Sequence, residues 1–471
     1  MPIKLATDPV GAWDELQEYL KKYVTSAFGT NSETFEVDRK ALLDTSGVFF
    51  QDPYLELLPE YTLEESLLNL DADDLPGLTS EARDAFCKLA SVALVPGEFK
   101  LFKHQQDMLR EGLNGKHSVV VTGTGSGKTE SFLLPVLAGI VREAKSKHWS
   151  KPSRLGPRWG SDNLPKWNDR RSALRGETRS PAVRALLLYP MNALVEDQIS
   201  RLRAAIDSDA AHAVMDEVLD GNRIRFGRYN GSTPVSGHPF DLSQEGRERK
   251  TPKHGELRNS FKGAFSQFEE LAVLLSSARQ ELIRHRKTGN EEDIRAAEDK
   301  LEKLEEQSTF SPRMGVDSCE MFHRWEMQDC PPDILISNVS MLSIMLMRNR
   351  HPDISQDRAD SMIFDQTRSW LKEDEENHVF HLVIDELHLY RGASGTEVAY
   401  LLRQLLDRLG LEPTSKQLRI FASSASLDGD SEATYEFLGG MFGLTSCEAR
   451  KRFHVEAGEL LYSVDLALIH I

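Results

Sequence analysis

Between about residue 99 and residue 427, short apolar runs recur, each closed by turn residues and followed by a stretch with helical spacing. The runs are Ser118-Val119-Val120-Val121, Ala185-Leu186-Leu187-Leu188-Tyr189, Ile334-Leu335-Ile336, His381-Leu382-Val383-Ile384 and Leu418-Arg419-Ile420-Phe421. Runs that are apolar on both faces and alternate with helices predict an α/β fold, a parallel sheet covered by helices on both sides. Ahead of this region, Trp13, Leu16, Tyr19, Leu20, Tyr23 and Val24 keep helical spacing, and an aromatic stretch follows from Val48-Phe49-Phe50 to Pro59-Glu60-Tyr61. Residues 1–98 carry no chemical motif and read as an N-terminal helical accessory domain. The sheet region spans 99–430, with insertions at 145–180 and 262–308, and 431–471 form a C-terminal extension. The second insertion reads as two charged helices, 265–285 and 291–306, broken at Thr288-Gly289-Asn290, which predicts a protruding helical hairpin.

Composition narrows the classes. With 471 residues, 40% hydrophobic and 28% charged, the chain is expected to hold two or three folded units. No apolar run reaches the roughly 18 residues that a membrane span needs. Residues 1–10 lack a basic segment followed by an apolar one, so a cytoplasmic location without membrane attachment is expected. The net charge of −17 argues against a uniformly basic surface, so any nucleic-acid contact must be local. The first insertion is a candidate: ten Lys or Arg against three acids, interleaved with Trp149, Trp159 and Trp167, which suits phosphate pairing and base stacking as well as a solvated loop. The four cysteines are widely spaced, as reduced thiols are. Cys319, His323 and Cys330 fit no standard metal spacing and lack a fourth ligand nearby.

The most specific signal is Thr122-Gly123-Thr124-Gly125-Ser126-Gly127-Lys128-Thr129, directly after an apolar run and before a helical one. Glycines let successive backbone N–H groups curl around phosphate oxygens, and the helix that follows adds its positive end. Thr124, Gly125, Ser126 and Gly127 would form the cradle, Lys128 would reach the β- and γ-phosphates, and Thr129 would place its hydroxyl on Mg²⁺. The strict pattern asks for glycine at position 122, where this chain has threonine. A triphosphatase also needs a metal ligand and a group that orients water at the end of another buried strand. Asp385 and Glu386, after Phe380-His381-Leu382-Val383-Ile384, supply them: Asp385 for Mg²⁺ and Glu386 for the water.

Asp385-Glu386-Leu387-His388 resembles motif II of the DEAD/DEAH superfamily 2 helicases, and further motifs follow in family order. Leu101-Phe102-Lys103-His104-Gln105 resembles the segment ahead of motif I, where Gln105 would read the adenine edge. Tyr189-Pro190-Met191-Asn192 opens a segment similar to motif Ia, Gly231, Ser232 and Thr233 lie in one similar to motif Ib, and Ser337-Asn338 close a strand-end motif. Ser424-Ala425-Ser426 resembles motif III, which with His388 would couple hydrolysis to domain movement. The resemblance implies a first RecA-like domain that binds ATP and Mg²⁺ and whose Pro190, Asn192, Gly231, Ser232, Thr233, Ser337 and Asn338 hold a nucleic-acid backbone, with DNA favoured over RNA. The family's arginine in motif Ia is Asn192 here. The wording around the motifs, with Tyr390-Arg391-Gly392 after the box, resembles large bacterial helicases of mobile defence and DNA-modification islands.

In this family a second RecA-like domain supplies an arginine finger, typically worth 10³ to 10⁵ in rate. Only 44 residues (471 less 427) follow Leu427, so a truncated chain or a partner polypeptide bearing that domain is expected. Two functions follow: an ATP-dependent DNA helicase or translocase subunit, or a nucleotide-dependent nucleic-acid-binding scaffold with negligible turnover.

Overall fold

A computed structural model describes residues 9–45, 47–50, 60–123, 125–147, 149, 153–154, 174–175, 179–237, 251–288, 291–314, 317–348, 359–427 and 429–461. Its contacts separate two units, residues 1–60 with 460–471, and residues 61–459. In the first, the spacing from Trp13 to Val24 forms the helix Pro9–Ala27. A second helix, Glu33–Leu43, opens at Ser32, whose hydroxyl accepts the Phe35 N–H. Lys21 pairs with Asp44 at 2.8 Å and Trp13 meets Phe50 edge-on, which folds one helix beside the other.

Among the described residues, the second unit has twelve strands: β1 Leu63–Ser66, β2 Lys100–Phe102, β3 His117–Val121, β4 Ser153–Arg154, β5 Leu174–Arg175, β6 Ala185–Tyr189, β7 Phe226–Tyr229, β8 Glu320–Met321, β9 Ile334–Asn338, β10 Phe380–Ile384, β11 Leu418–Ser424 and β12 Phe453–Ala457. Eight form one sheet in the order β12-β3-β11-β10-β6-β9-β7-β8, and every neighbouring pair is parallel. β1 with β2 and β4 with β5 make short antiparallel ribbons. The helices Lys103–Leu113, Lys128–Ser146 and Asn192–Ile206 bury Met108, Phe132, Leu134 and Ile199 on one face. Val339–Met347, Ser361–Glu373, Gly392–Leu409 and Glu432–Phe442 bury Leu342, Trp370, Leu405 and Phe442 on the other. This is the expected P-loop, RecA-like α/β layering.

Residues 61–98, grouped with the N terminus on pattern alone, belong by contact to the sheet unit, because Leu67, Phe86 and Leu89 are fully buried in the same core as Phe132. Past 430 the chain returns to the sheet. The helix Glu432–Phe442 leads to β12, which pairs with β3 along its whole length. The helical hairpin is present as Thr251–Thr288 and Glu291–Ser308, its first helix starting earlier than the charge pattern suggested. Exposed pairs such as Lys300 with Glu281 at 2.6 Å and Arg286 with Glu298 at 2.8 Å line its seam, each worth little alone.

The amino edge of the sheet is closed by charge. Arg184, just before β6, is 2% exposed. It donates to both Glu143 carboxylate oxygens, at 2.8 and 2.5 Å, and to Asp333 Oδ1 at 2.9 Å. Its guanidinium lies 5.1 Å from the Trp149 ring and 5.0 Å from Trp370. Arg179 pairs with Asp333 at 3.1 Å and lies 4.4 Å from Trp149. Arg179 of the basic insertion is thus built into the fold, and Trp149 is buried, not offered to a base. Trp159 and Trp167 lie outside the described residues.

Candidate nucleotide site

The six motif segments sit where β3, β6, β7, β9, β10 and β11 end, on one edge of the sheet, as parallel strands require of a shared crevice at their carboxyl ends. The loop 122–127 leaves β3 and delivers Lys128 to the first turn of the helix Lys128–Ser146. Gly125 and Gly127 take φ of +76° and +72°, values that a side chain would strain. At Gly127 a Cβ would also meet Gln105 Nε2 at 2.3 Å. The loop is fastened from several sides. Thr122 and Ser126 hydroxyls bond at 2.6 Å, Gly123 N–H donates to the Tyr61 hydroxyl at 3.0 Å, and the Ser126 carbonyl lies 2.7 Å from His104 Nε2. Thr122 does a job no glycine could, since its hydroxyl braces the loop. Gln105, expected to read an adenine edge, uses both ends of its amide inside the protein: Oε1 accepts Phe102 N–H at 3.0 Å and Nε2 donates to the Gly127 carbonyl at 3.1 Å. Thr124 lies outside the described residues, and Thr129 is half-buried in the first helical turn.

Lys128 Nζ is buried without a hydrogen-bond partner. It faces Glu386 Oε1 at 3.6 Å, across from the end of β10. Asp385 stands beside it, and burial pushes its carboxyl above the usual range, with the Glu386 charge adding to the rise and the Ser423 hydroxyl and Lys128 opposing it. A desolvated carboxylate and an unbonded ammonium facing the same loop would be repaid by a divalent cation and a phosphate chain. Glu386 sits in the left-handed region at φ +53°, a conformation that costs a non-glycine residue about 1–3 kcal/mol and gathers at functional sites. It carries the carboxylate out of the strand direction toward Lys128.

Ser423, at the end of β11 and one residue before the motif that the sequence singles out, joins the pair. Its hydroxyl donates to Asp385 and accepts the Glu386 N–H at 3.1 Å. Sequence reasoning missed it because nothing local marks it; the parallel register of β10 and β11 places it there. The next three residues connect outward. The Ser424 carbonyl accepts Thr122 N–H at 3.3 Å, Ala425 N–H donates to His388 Nδ1 at 3.4 Å, and the Ser426 carbonyl accepts Arg391 at 3.1 Å. His388 Nδ1 is also 3.2 Å from Glu386. This segment is thus hydrogen-bonded to the loop and to the histidine, and the histidine in turn faces the glutamate.

The residues expected to touch a nucleic-acid backbone lie on the other half of the same edge. Asn192, Gly231 and Ser232 are exposed and Pro190 is half-exposed. Asn338 Nδ2 donates to Asn192 Oδ1 at 2.6 Å. Ser232 donates to Glu196 Oε1 at 3.2 Å, and Glu196 also pairs with Arg228. Thr233 and Ser337 are buried; their hydroxyls bond the Arg228 carbonyl at 2.7 Å and the Tyr229 carbonyl at 2.6 Å, so they shape the loops from inside.

A family model for the DEAD/DEAH box helicase matches residues 102–233, from the segment before the loop to Thr233. The chain carries a DEAD/DEAH box helicase domain. It is similar to the Druantia protein DruE of Escherichia coli (strain UMEA 4076-1), 30% identical over 455 residues, covering 93% of this chain and 21% of that protein. The chain thus spans about a fifth of the length of this curated relative. Among solved structures, the DUF1998 helicase MrfA bound to DNA is 17% identical with a TM-score of 0.40, over 91% of this chain and 35% of that one. The same helicase bound to DNA and AMPPNP gives 17%, 0.39, 90% and 34%. The yeast DEAD-box splicing factor Prp28 gives 10%, 0.33, 86% and 54%. Among the described residues, no helix is long and apolar enough to cross a membrane.

Proposed function

We propose that this chain is the ATP-binding half of an ATP-dependent DNA helicase or translocase, which hydrolyses ATP to move along nucleic acid. The observation that carries the reading is the meeting of Lys128 with Asp385 and Glu386, held by Ser423, at the carboxyl edge of one parallel sheet. Lys128 takes the β- and γ-phosphates, and Gly125, Ser126 and Gly127 offer backbone N–H groups to them. Thr129 and Asp385 hold Mg²⁺, whose chemistry is to neutralise the phosphate oxygens. Glu386 takes the proton of the attacking water. His388 and Ser424 to Ser426 transmit the change to the strand-holding half, where exposed Asn192, Gly231 and Ser232 meet a sugar-phosphate backbone without reading its sequence. DNA is the favoured strand, and phage defence or DNA modification the favoured setting.

A second reading rests on one observation: the described residues form a single large parallel sheet, and no arginine among them pairs in the pocket at Lys128. Without an arginine from a second domain, the chain binds ATP and nucleic acid and turns over negligibly, as a scaffold. ATP hydrolysis by the chain, with and without single-stranded DNA, beside Lys128→Ala and a nucleotide-binding titration, separates the two. DNA-stimulated turnover lost in Lys128→Ala supports the motor; binding without turnover supports the scaffold and sends the search to a second domain; no nucleotide binding at all sinks both.

A further inference from the structure

Among the described residues, the group of possible metal ligands that holds Cys319 does not include His323 or Cys330, its neighbours in sequence. His323 caps the helix Arg324–Asp329 by accepting the Glu326 N–H at 3.2 Å, and Cys330 lies 3.8 Å from Arg225. Cys319 meets instead two residues more than a hundred positions earlier. Asp207, His212 and Cys319 each offer a ligand atom within 4.8 Å of the others, with His212 Nε2 2.7 Å from Asp207 Oδ1 and 3.5 Å from Cys319 Sγ. All three residues are buried. From these contacts we propose a tetrahedral zinc site, with Asp207, His212 and Cys319 as ligands and a water in the fourth position.

The donor set suits that ion: one carboxylate and one thiolate balance a divalent charge, and neutral imidazole adds a third bond. Bond lengths of about 2.0–2.3 Å place tetrahedral ligand atoms roughly 3.4–3.6 Å apart. The sulfur-to-nitrogen distance already matches, and the Asp207–His212 hydrogen bond opens by roughly 0.7 Å when the ion replaces its proton. Outer partners orient the ligands, as metal sites require. Asp207 Oδ1 accepts Cys319 N–H at 2.8 Å, Oδ2 accepts the Ser318 hydroxyl at 3.3 Å, and His212 Nδ1 faces Asp317 at 3.9 Å. Arg313, the near cation, bonds the Asp207 carbonyl and Asp209, not the ligand oxygens. Asp207 also lines a groove of about 880 Å³ beneath the helical hairpin, which gives the ion and its water a path in.

Protons balance simply. The imidazole proton moves from Nε2 to Nδ1, which faces Asp317 at 3.9 Å, and the Cys319 thiol gives up one proton to solvent for each zinc bound. The site would clamp the end of the helix Asn192–Ile206, the first turn of Asp209–Val218 and edge strand β8, at the point where the hairpin returns to the sheet beside β7.

The test is a Co²⁺ titration of the full chain after chelation, followed by Zn²⁺. The wild type is expected to bind one Co²⁺ with a sulfur-to-cobalt charge-transfer band, release one proton, and lose the band when Zn²⁺ is added. Cys319→Ser abolishes the band and Asp317→Asn weakens affinity by about 10- to 100-fold, while Cys330→Ser changes nothing. A folded wild type without the band, or a band that survives Cys319→Ser, overturns the site. If Cys319→Ser does not fold, the wild-type band with release of one proton decides for the site, and its absence against it.

Discussion

The two edges of the one parallel sheet treat charge in opposite ways. At the amino edge Arg184 is enclosed, but its guanidinium is fully engaged: Glu143 by two hydrogen bonds, Asp333 by one, the Ala182 and Ser180 carbonyls by one each, with the Trp149 and Trp370 rings close by. At the carboxyl edge the Lys128 Nζ is buried without a hydrogen bond, Asp385 is desolvated and Glu386 is held at positive φ. Buried charge that is fully paired holds a fold together; buried charge left short of partners is affordable only where a ligand completes it. The same strands thus carry a paired charge cluster at one end and the P-loop carboxylates at the other, and Glu386, in the left-handed region, stands at that second end, a conformation that gathers at functional sites.

The largest effect should appear at the carboxyl edge, in activity alone. Glu386→Gln is expected to lower DNA-stimulated ATP turnover by about 10²- to 10⁴-fold, measured with the second domain present, while nucleotide affinity and thermal midpoint stay close to wild type. A parallel loss of folding would erase the distinction between the edges. At the amino edge the expected loss is in stability. Arg184→Ala leaves Glu143 and part of Asp333 unpaired and should cost about 3–5 kcal/mol in denaturant unfolding; a cost under about 1 kcal/mol would show that solvent already screens the cluster.

Ser423 offers a finer probe, because one hydroxyl serves both acidic residues. Ser423→Ala removes a hydrogen bond to a charged group, about 1.5–3 kcal/mol, and is expected to lower turnover by roughly 10- to 100-fold with a raised Mg²⁺ requirement. Unchanged Mg²⁺ dependence would mean that Ser423 only packs.

A separate effect is acid sensitivity at the amino edge, where His117 and His381 are both pushed down to about 3 by burial. His117 Nδ1 accepts the Ile420 N–H at 3.2 Å, so the folded form holds it neutral. The unfolded chain takes up protons near pH 6.5 that the folded chain refuses. Their contribution to stability is therefore complete above pH 6.5 and is lost as pH falls from there toward 3, with a slope of about 1.4 kcal/mol per pH unit for each histidine. Unfolding midpoints between pH 7 and 5 should show it, and His117→Gln should remove about half of the slope.

Much of this molecule was legible in the chain because the relevant physics is local. The phosphate loop needs one strand, a run of small residues and one helix in immediate succession, so residues 118–130 announce it without help. The buried strands β3, β6, β9, β10 and β11 declare themselves by apolar runs, and the hairpin by helical spacing and charge. Periodicity reports which face of an element is covered, but not which element covers it. Only the register of β10 against β11 brings Ser423 to Asp385 and Glu386, and only the strand order makes β12 a neighbour of β3 and gathers six loops on one edge. Asn192, Ser232, Thr233 and Ser337 look alike as polar residues at strand ends, yet the first two face outward and the last two spend their hydroxyls inside, a difference set by contacts far apart in sequence. Arg184 finds Glu143 and Asp333 across 41 and 149 positions, and Cys319 finds His212 across 107. The chain alone determined which residues can carry charge and where the backbone can turn. Which charges would be paired, and which left for a ligand, was decided by the packing of distant segments.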